Sequence, residues 1–174
     1  MRNKIKRIWN TATTVLVVLT VLVAALLWGF RPFGYEILVV QSGSMEPAYH
    51  VGSLVYVKPV EAEKLKVGDV ITFELGGGTR GTHRIIEVLD EDGRLAFRTK
   101  GDNNDAADFN PVYPENIVGK VRFSVPLLGF LVIYIQQPPG RYISLSAVSA
   151  MLLLTILPDI IFPDEEKKKQ EETL

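Results

Sequence analysis

Residues 11–30, TATTVLVVLTVLVAALLWGF, run for twenty positions without a charged side chain. That is the length at which an α-helix crosses the roughly 30 Å hydrocarbon layer of a bilayer, and in lipid the backbone of such a segment can satisfy its own polar groups only as a helix. Arg2, Lys4, Lys6 and Arg7 precede the run, and the first acidic residue is Glu36. A basic cluster on that side predicts a cytoplasmic N-terminus, residues 1–10, with the following chain directed outward. A cleaved signal peptide would have an apolar core of only about 7–15 residues ending in a small-residue cleavage site. Here the apolar run continues to Trp28 and Phe30 and meets Arg31-Pro32 with no such site, so residues 11–30 read as an uncleaved anchor.

The far end is apolar too: between positions 123 and 162 only Arg141 and Asp159 are charged. Residues 125–135 are too few to span and are cut off by Gln136-Gln137-Pro138-Pro139-Gly140. They read as a buried or membrane-resting segment, the alternative being a strand packed in the core. Residues 142–162 are long enough for a second transmembrane helix, with Pro158 and Asp159 placed at the interface, where a polar group costs much less than at the bilayer centre. Residues 163–174 form a charged tail whose Lys167-Lys168-Lys169 agrees with a cytoplasmic location. These ends explain why a chain with 22% charged residues has a mean hydropathy of +0.17.

Between the ends, residues 31–141 are polar and close to the usual size of one domain. Segments 35–40, 53–57, 69–73, 83–88 and 117–123 are short and rich in β-branched residues, with turn signals such as Gly68-Asp69, Gly76-Gly77-Gly78 and Asp92-Gly93 between them. A single helical turn is expected near Val60 to Leu65. The fold class is therefore a mainly β extracytoplasmic domain on an N-terminal transmembrane helix, with a C-terminal transmembrane helix after it. The net charge of −1 argues against a protein that coats nucleic acid. The absence of cysteine excludes disulfides, thiolate metal sites and a cysteine nucleophile. Thr79-Arg80 after the glycine triplet is not a phosphate-loop ending, so the triplet reads as a loop.

Three elements carry chemistry. Gln41-Ser42-Gly43-Ser44-Met45-Glu46-Pro47 brings a strand into a tight turn between two serines, the setting in which a serine oxygen is presented beside backbone N–H groups able to hold an oxyanion. An ordinary strand-to-turn junction has the same composition. His83, in Gly81-Thr82-His83-Arg84, is suited to accept a proton near neutral pH, although an isolated histidine at a strand start is commonly a packing residue. Lys100-Gly101-Asp102-Asn103-Asn104-Asp105-Ala106-Ala107-Asp108 is first a turn, and one of its carboxylates could orient the histidine. With two histidines in the chain, His50 and His83, a three-histidine metal site is impossible. A mixed His/Asp/Glu site is not excluded by counting alone.

The series Ser42-Gly43-Ser44-Met45-Glu46-Pro47, Gly68-Asp69-Val70, Thr82-His83-Arg84-Ile85 and Lys100-Gly101-Asp102-Asn103-Asn104 resembles the box order of type I signal peptidases, from the anchor through Gly129. A histidine in place of the lysine of the common bacterial branch resembles the endoplasmic-reticulum and archaeal branch, to which sporulation-associated Gram-positive members also belong. The resemblance implies a membrane-bound serine endopeptidase that removes signal peptides from secreted preproteins, cutting after small residues by way of an acyl-enzyme. It implies Ser44 as nucleophile, His83 as general base and Ser42 with the Ser44 N–H as oxyanion hole. Of the two aspartates, Asp108 is the member expected to orient His83, with Asp102 secondary; the sequence leaves open which carboxylate reaches the ring. Preproteins and membrane lipid are the implied partners, with no metal or cofactor, a cell-membrane location, and accessory subunits undefined. Two other readings stand beside it: a catalytically silent β-module that binds a partner outside the cell, and a serine–lysine autoprotease using Lys58, Lys64, Lys66 or Lys100.

Overall fold

The computed structural model describes residues 2–161; the charged tail and the last residue of the 142–162 segment lie outside the described residues. Two compact units result. Leu27–Ile133 form one, and the remaining described residues, from the two ends of the chain, form the other.

The first unit is a six-stranded antiparallel sheet. Its strands are β1 (Glu36–Val39), β2 (Leu54–Lys58), β3 (Val70–Gly76), β4 (Thr79–Glu91), β5 (Arg94–Lys100) and β6 (Ile117–Val125), in the order β1-β2-β6-β3-β4-β5. Gly76, Gly77 and Gly78 close the β3–β4 hairpin with φ of 95°, 59° and 77°, a left-handed path that glycine follows without steric penalty. The expected turn between β2 and β3 is a 3₁₀ helix, Ala62–Lys64.

Alternation along the strands supplies two buried clusters. Ile71 and Phe73 of β3 point into one, with Leu65, Ile85, Phe97 and Val112. Val70, the first residue of β3, points into the other with Met45, Val55, Val57 and Val121. An aromatic group adjoins the end of the anchor: Tyr56 and Phe123 stack at 4.2 Å, and Phe30 meets both edge-on.

The second unit is helical. Helix α1 (Arg2–Trp28) covers the first apolar run except Gly29 and Phe30, and helix α3 (Gly140–Ile161) covers most of the last. Within this unit the Trp9 indole N–H donates to the Leu154 carbonyl at 3.0 Å. Both helices are long and apolar enough to cross a membrane, and residues such as Val15, Leu19, Leu22, Leu152 and Leu153 are more than half exposed, a surface that suits lipid and not water.

Of residues 125–135, Val125 ends β6, and the rest are neither a core strand nor a buried segment. After Leu127, at φ 63°, they form helix α2 (Leu128–Gln136), in which Gly129 alone is fully buried. The run is apolar on all sides, which suits a helix as well as a strand, so period alone does not separate the two. β5 carries Arg94, Arg98 and Lys100, and these charges disguise a strand that buries Ala96, Phe97 and Thr99.

Candidate active site

The Ser44 turn follows β1 as a 3₁₀ turn, Gly43–Met45, with Ser42 extended just before it. Met45, 2% exposed, plugs this turn into one hydrophobic cluster. The loop after β5 clamps it from the other side. Asn103 donates its backbone N–H to the Ser44 carbonyl at 2.9 Å and its side-chain amide to the Gly43 carbonyl at 3.3 Å. Gly101 permits this approach, because a Cβ there would fall 2.6 Å from the Ser44 carbonyl oxygen.

His83 is within β4, opposite Ile71 in the β3 register, with its ring edge-on to Phe73. Its Nδ1 is 2.6 Å from Asp108 Oδ2 and its Nε2 is 3.3 Å from Ser44 Oγ. With the proton on Nδ1 donated to the carboxylate, Nε2 is left as the acceptor for the Ser44 hydroxyl. Both side chains are mostly buried, at 16% and 23% exposure, so the carboxylate acts in a medium where a charge-assisted hydrogen bond is strong. Ser42 Oγ lies 3.4 Å from Ser44 Oγ.

Asp102 has a different partner. Arg84 holds it through two parallel bonds, Nε to Oδ1 at 2.8 Å and Nη2 to Oδ2 at 2.6 Å, and donates through Nη1 to the Gly68 carbonyl at 2.8 Å. Adjacent strand residues face opposite ways, which is why His83 and Arg84 reach different aspartates of one loop. Donating to Asp102 strengthens the hold of the Arg84 guanidinium on its proton, with burial opposing. Burial also raises the pKa of Tyr49 above its ordinary value, and Arg84 lowers it in part. Asp69 of the Gly68-Asp69-Val70 motif accepts from Lys120 Nζ at 2.6 Å, tying that turn to β6. Of the lysines named for a serine–lysine pair, Lys58 lies over the Tyr35 ring and Lys64 pairs with Glu61 at 2.8 Å.

The serine opens into a groove of about 670 Å³ whose apolar wall includes Leu38, Val40, Met45, Tyr49 and Val55. Arg80 also lines the groove and makes an ion pair with Glu36 of β1. Neither Arg80 nor Thr99 is marked as a site residue by any motif in the sequence. Thr99, whose hydroxyl donates to Asp108 Oδ2, was hidden in a strand masked by its charged neighbours.

Fold and site together define a membrane-associated protein whose β domain carries a serine–histidine–aspartate arrangement of the kind found in serine hydrolases. No family model matches the chain. Over 108 residues it is 45% identical to signal peptidase I W of Bacillus subtilis (strain 168), a match that covers 60% of this chain and 57% of that protein. Over 128 residues it is 34% identical to the signal peptidase complex catalytic subunit SEC11C of Homo sapiens, covering 68% of this chain and 67% of that one. The corresponding catalytic subunit of Dictyostelium discoideum is 33% identical over 128 residues, 68% of this chain and 71% of that protein. The chain belongs to the type I signal peptidase family, in its endoplasmic-reticulum and archaeal-type branch. It spans little more than half the length of the Bacillus relative.

Proposed function

We propose that the protein is a membrane-bound serine endopeptidase that removes N-terminal signal peptides from preproteins. The observation that carries this reading is the continuous path from Ser44 Oγ to His83 Nε2 and from His83 Nδ1 to Asp108 Oδ2, at 3.3 Å and 2.6 Å, at the edge of an apolar groove. Ser44 attacks the scissile carbonyl while His83 takes its proton. Asp108 holds the ring and stabilises its protonated form. The Ser44 N–H and the Ser42 hydroxyl receive the oxyanion. His83 then returns the proton to the leaving amine, and water, activated the same way, releases the acyl group. Asp102 acts at one remove, through Arg84, by keeping the 101–104 loop against the serine turn.

The substrate enters as an extended strand. β1 pairs with β2 on one side, and its other edge faces the groove, where main-chain pairing can align a peptide. The shallow apolar wall suits small side chains before the cut. The proposed organisation is a cytoplasmic basic segment 1–10, an anchor 11–30, an extracytoplasmic peptidase domain 31–141 in the cell membrane, a second span 142–162 and a cytoplasmic tail 163–174. It is supported by the basic residues ahead of the first span. Two relatives are named as subunits of a complex, so accessory subunits are a further proposal. The test is cleavage of a preprotein in lipid vesicles by the purified full chain and by Ser44→Ala. The wild type alone should release mature protein cut after a small residue; processing by Ser44→Ala at the wild-type rate would remove Ser44 as the nucleophile.

A further inference from the structure

The carboxylate oxygen that faces His83 has a second partner. Asp108 Oδ2 accepts the Thr99 hydroxyl at 2.6 Å, the same distance as its contact with His83 Nδ1. Thr99 is fully buried, at 0% exposure, and in the sheet register lies opposite Ile85, two residues beyond His83 on β4. Its carbonyl also accepts the Asp108 N–H at 2.8 Å. Two hydrogen bonds running in opposite directions therefore join these residues and close the 99–108 loop. The backbone bond fixes where the Asp108 chain passes. The hydroxyl bond fixes how its carboxylate is turned.

We propose that Thr99 is a positioning residue for the His83 base, acting through Asp108. The inference rests on the reading of Ser44, His83 and Asp108 as the reacting set. A carboxylate held by one bond can rotate about its side-chain torsions, and sp³–sp² torsions of this kind are soft. A buried hydroxyl on the shared oxygen removes that freedom and keeps Oδ2 in line with Nδ1. It also draws part of the negative charge away from the imidazole. Loss of the hydroxyl should therefore misalign the base and lower kcat. Thr99 touches no substrate in this scheme, so KM should move little.

The experiment uses the full chain in lipid vesicles, with Thr99→Val, Thr99→Ser, Thr99→Ala, Asp108→Asn and the Asp108→Asn/Thr99→Val double variant. Two rates are read: preprotein cleavage, and phosphonylation of Ser44 by a fluorophosphonate probe, with fluoride as leaving group. A hydrogen bond to a charged group contributes enough that Thr99→Val should lower kcat roughly 10- to 100-fold, with KM changed by less than about threefold. Thr99→Ser, which keeps the donor, should hold most of the rate. Thr99→Ala differs from it only by the hydroxyl and should be about tenfold or more slower, a comparison that stands even where Thr99→Val does not fold. In the Asp108→Asn background, Thr99→Val should add less than about twofold, because the two act as one unit. The proposal is overturned by a folded Thr99→Val within twofold of wild type, by equal rates for the serine and alanine variants, or by an undiminished loss on top of Asp108→Asn. A wild type that is neither labelled at Ser44 nor active on preprotein would instead overturn the functional reading; one that is labelled, with Thr99 variants equal to it, overturns the role of Thr99 alone.

Discussion

The Ser44 turn and the His83–Asp108 pair are anchored in different hydrophobic clusters. Met45 roots the serine turn among Val55, Val57, Val70 and Val121. His83 lies against Phe73, whose cluster includes Ile71, Ile85 and Phe97. The first cluster is mostly valine, small and β-branched; the second is built around two phenylalanines. The 3.3 Å separation between Ser44 Oγ and His83 Nε2 is thus a distance across a seam. The 101–104 loop bridges it by bonding to the serine turn while Asp108, a few residues on, holds the histidine. The contrast teaches that the reacting atoms depend on two separate packings being in register, and each can be disturbed without touching the other.

The largest expected effect comes from the chemistry at the seam itself. His83→Ala should reduce kcat by at least about 10⁴-fold, since base and nucleophile act as one unit, while thermal unfolding followed by circular dichroism stays near wild type. Retained cleavage would favour a lysine base. Comparing the two aspartates sharpens the division of labour. Asp108→Asn should cost about 10⁴-fold in kcat through the wrong histidine tautomer. Asp102→Asn, which weakens the Arg84 fork, should chiefly lower the melting temperature and reduce kcat far less. Equal losses in kcat would mean that both carboxylates serve the ring.

Packing comes next. Phe97→Ala empties a site with 0% exposure and should cost about 3–5 kcal/mol by urea unfolding, against about 2–4 for Met45→Ala. The informative reading is the rate of Ser44 acylation in whatever fraction stays folded. Met45→Ala should slow it by releasing the serine turn, whereas a slowing confined to Phe97→Ala would place the weakness on the histidine side. Asn103→Ala removes one side-chain bond of the clamp and should lower kcat several-fold with a stability loss of about 1 kcal/mol.

The smallest effect is a pH dependence. Burial raises the Tyr49 pKa in the folded state, so the unfolded chain loses this proton first as pH rises. The stabilisation is complete below the ordinary tyrosine value of 10.0 and is lost as pH climbs through the raised value. Tyr49→Phe should flatten the alkaline end of the stability profile, and an unchanged slope in urea titrations above pH 10.0 would assign that slope to other groups.

Much of this architecture is readable in the chain. β1, β2, β3, β4 and β6 announce themselves through β-branched runs between turn residues, and α1 through a charge-free stretch that no soluble surface would tolerate. β5 does not, because its arginines and lysine make a core strand look like a polar connection. α2 does not, because an apolar run without a polar face has no period to read. At the site, the order Ser44, His83, aspartate is visible in sequence, but the allocation of Asp102 to Arg84 and of Asp108 to His83 is not. It depends on which face of β4 each of two adjacent residues takes, and on how one loop curls back over Thr99. Thr99 is silent for the same reason: its meaning comes from a hydroxyl meeting a carboxylate nine positions away.

The loop that spans the seam is held at both ends and free in the middle. Gly101 to Asn104 lie on the serine turn and Asp108 is closed onto Thr99, while Asp105, Ala106 and Ala107 are exposed. Exposed loop tips of small residues are where inserted sequence is best tolerated. A short peptide tag or a fluorescent amino acid introduced between Ala106 and Ala107 would therefore sit within a few residues of the triad while both of its anchors stay fastened, giving a reporter that follows the occupancy of the groove in a living membrane.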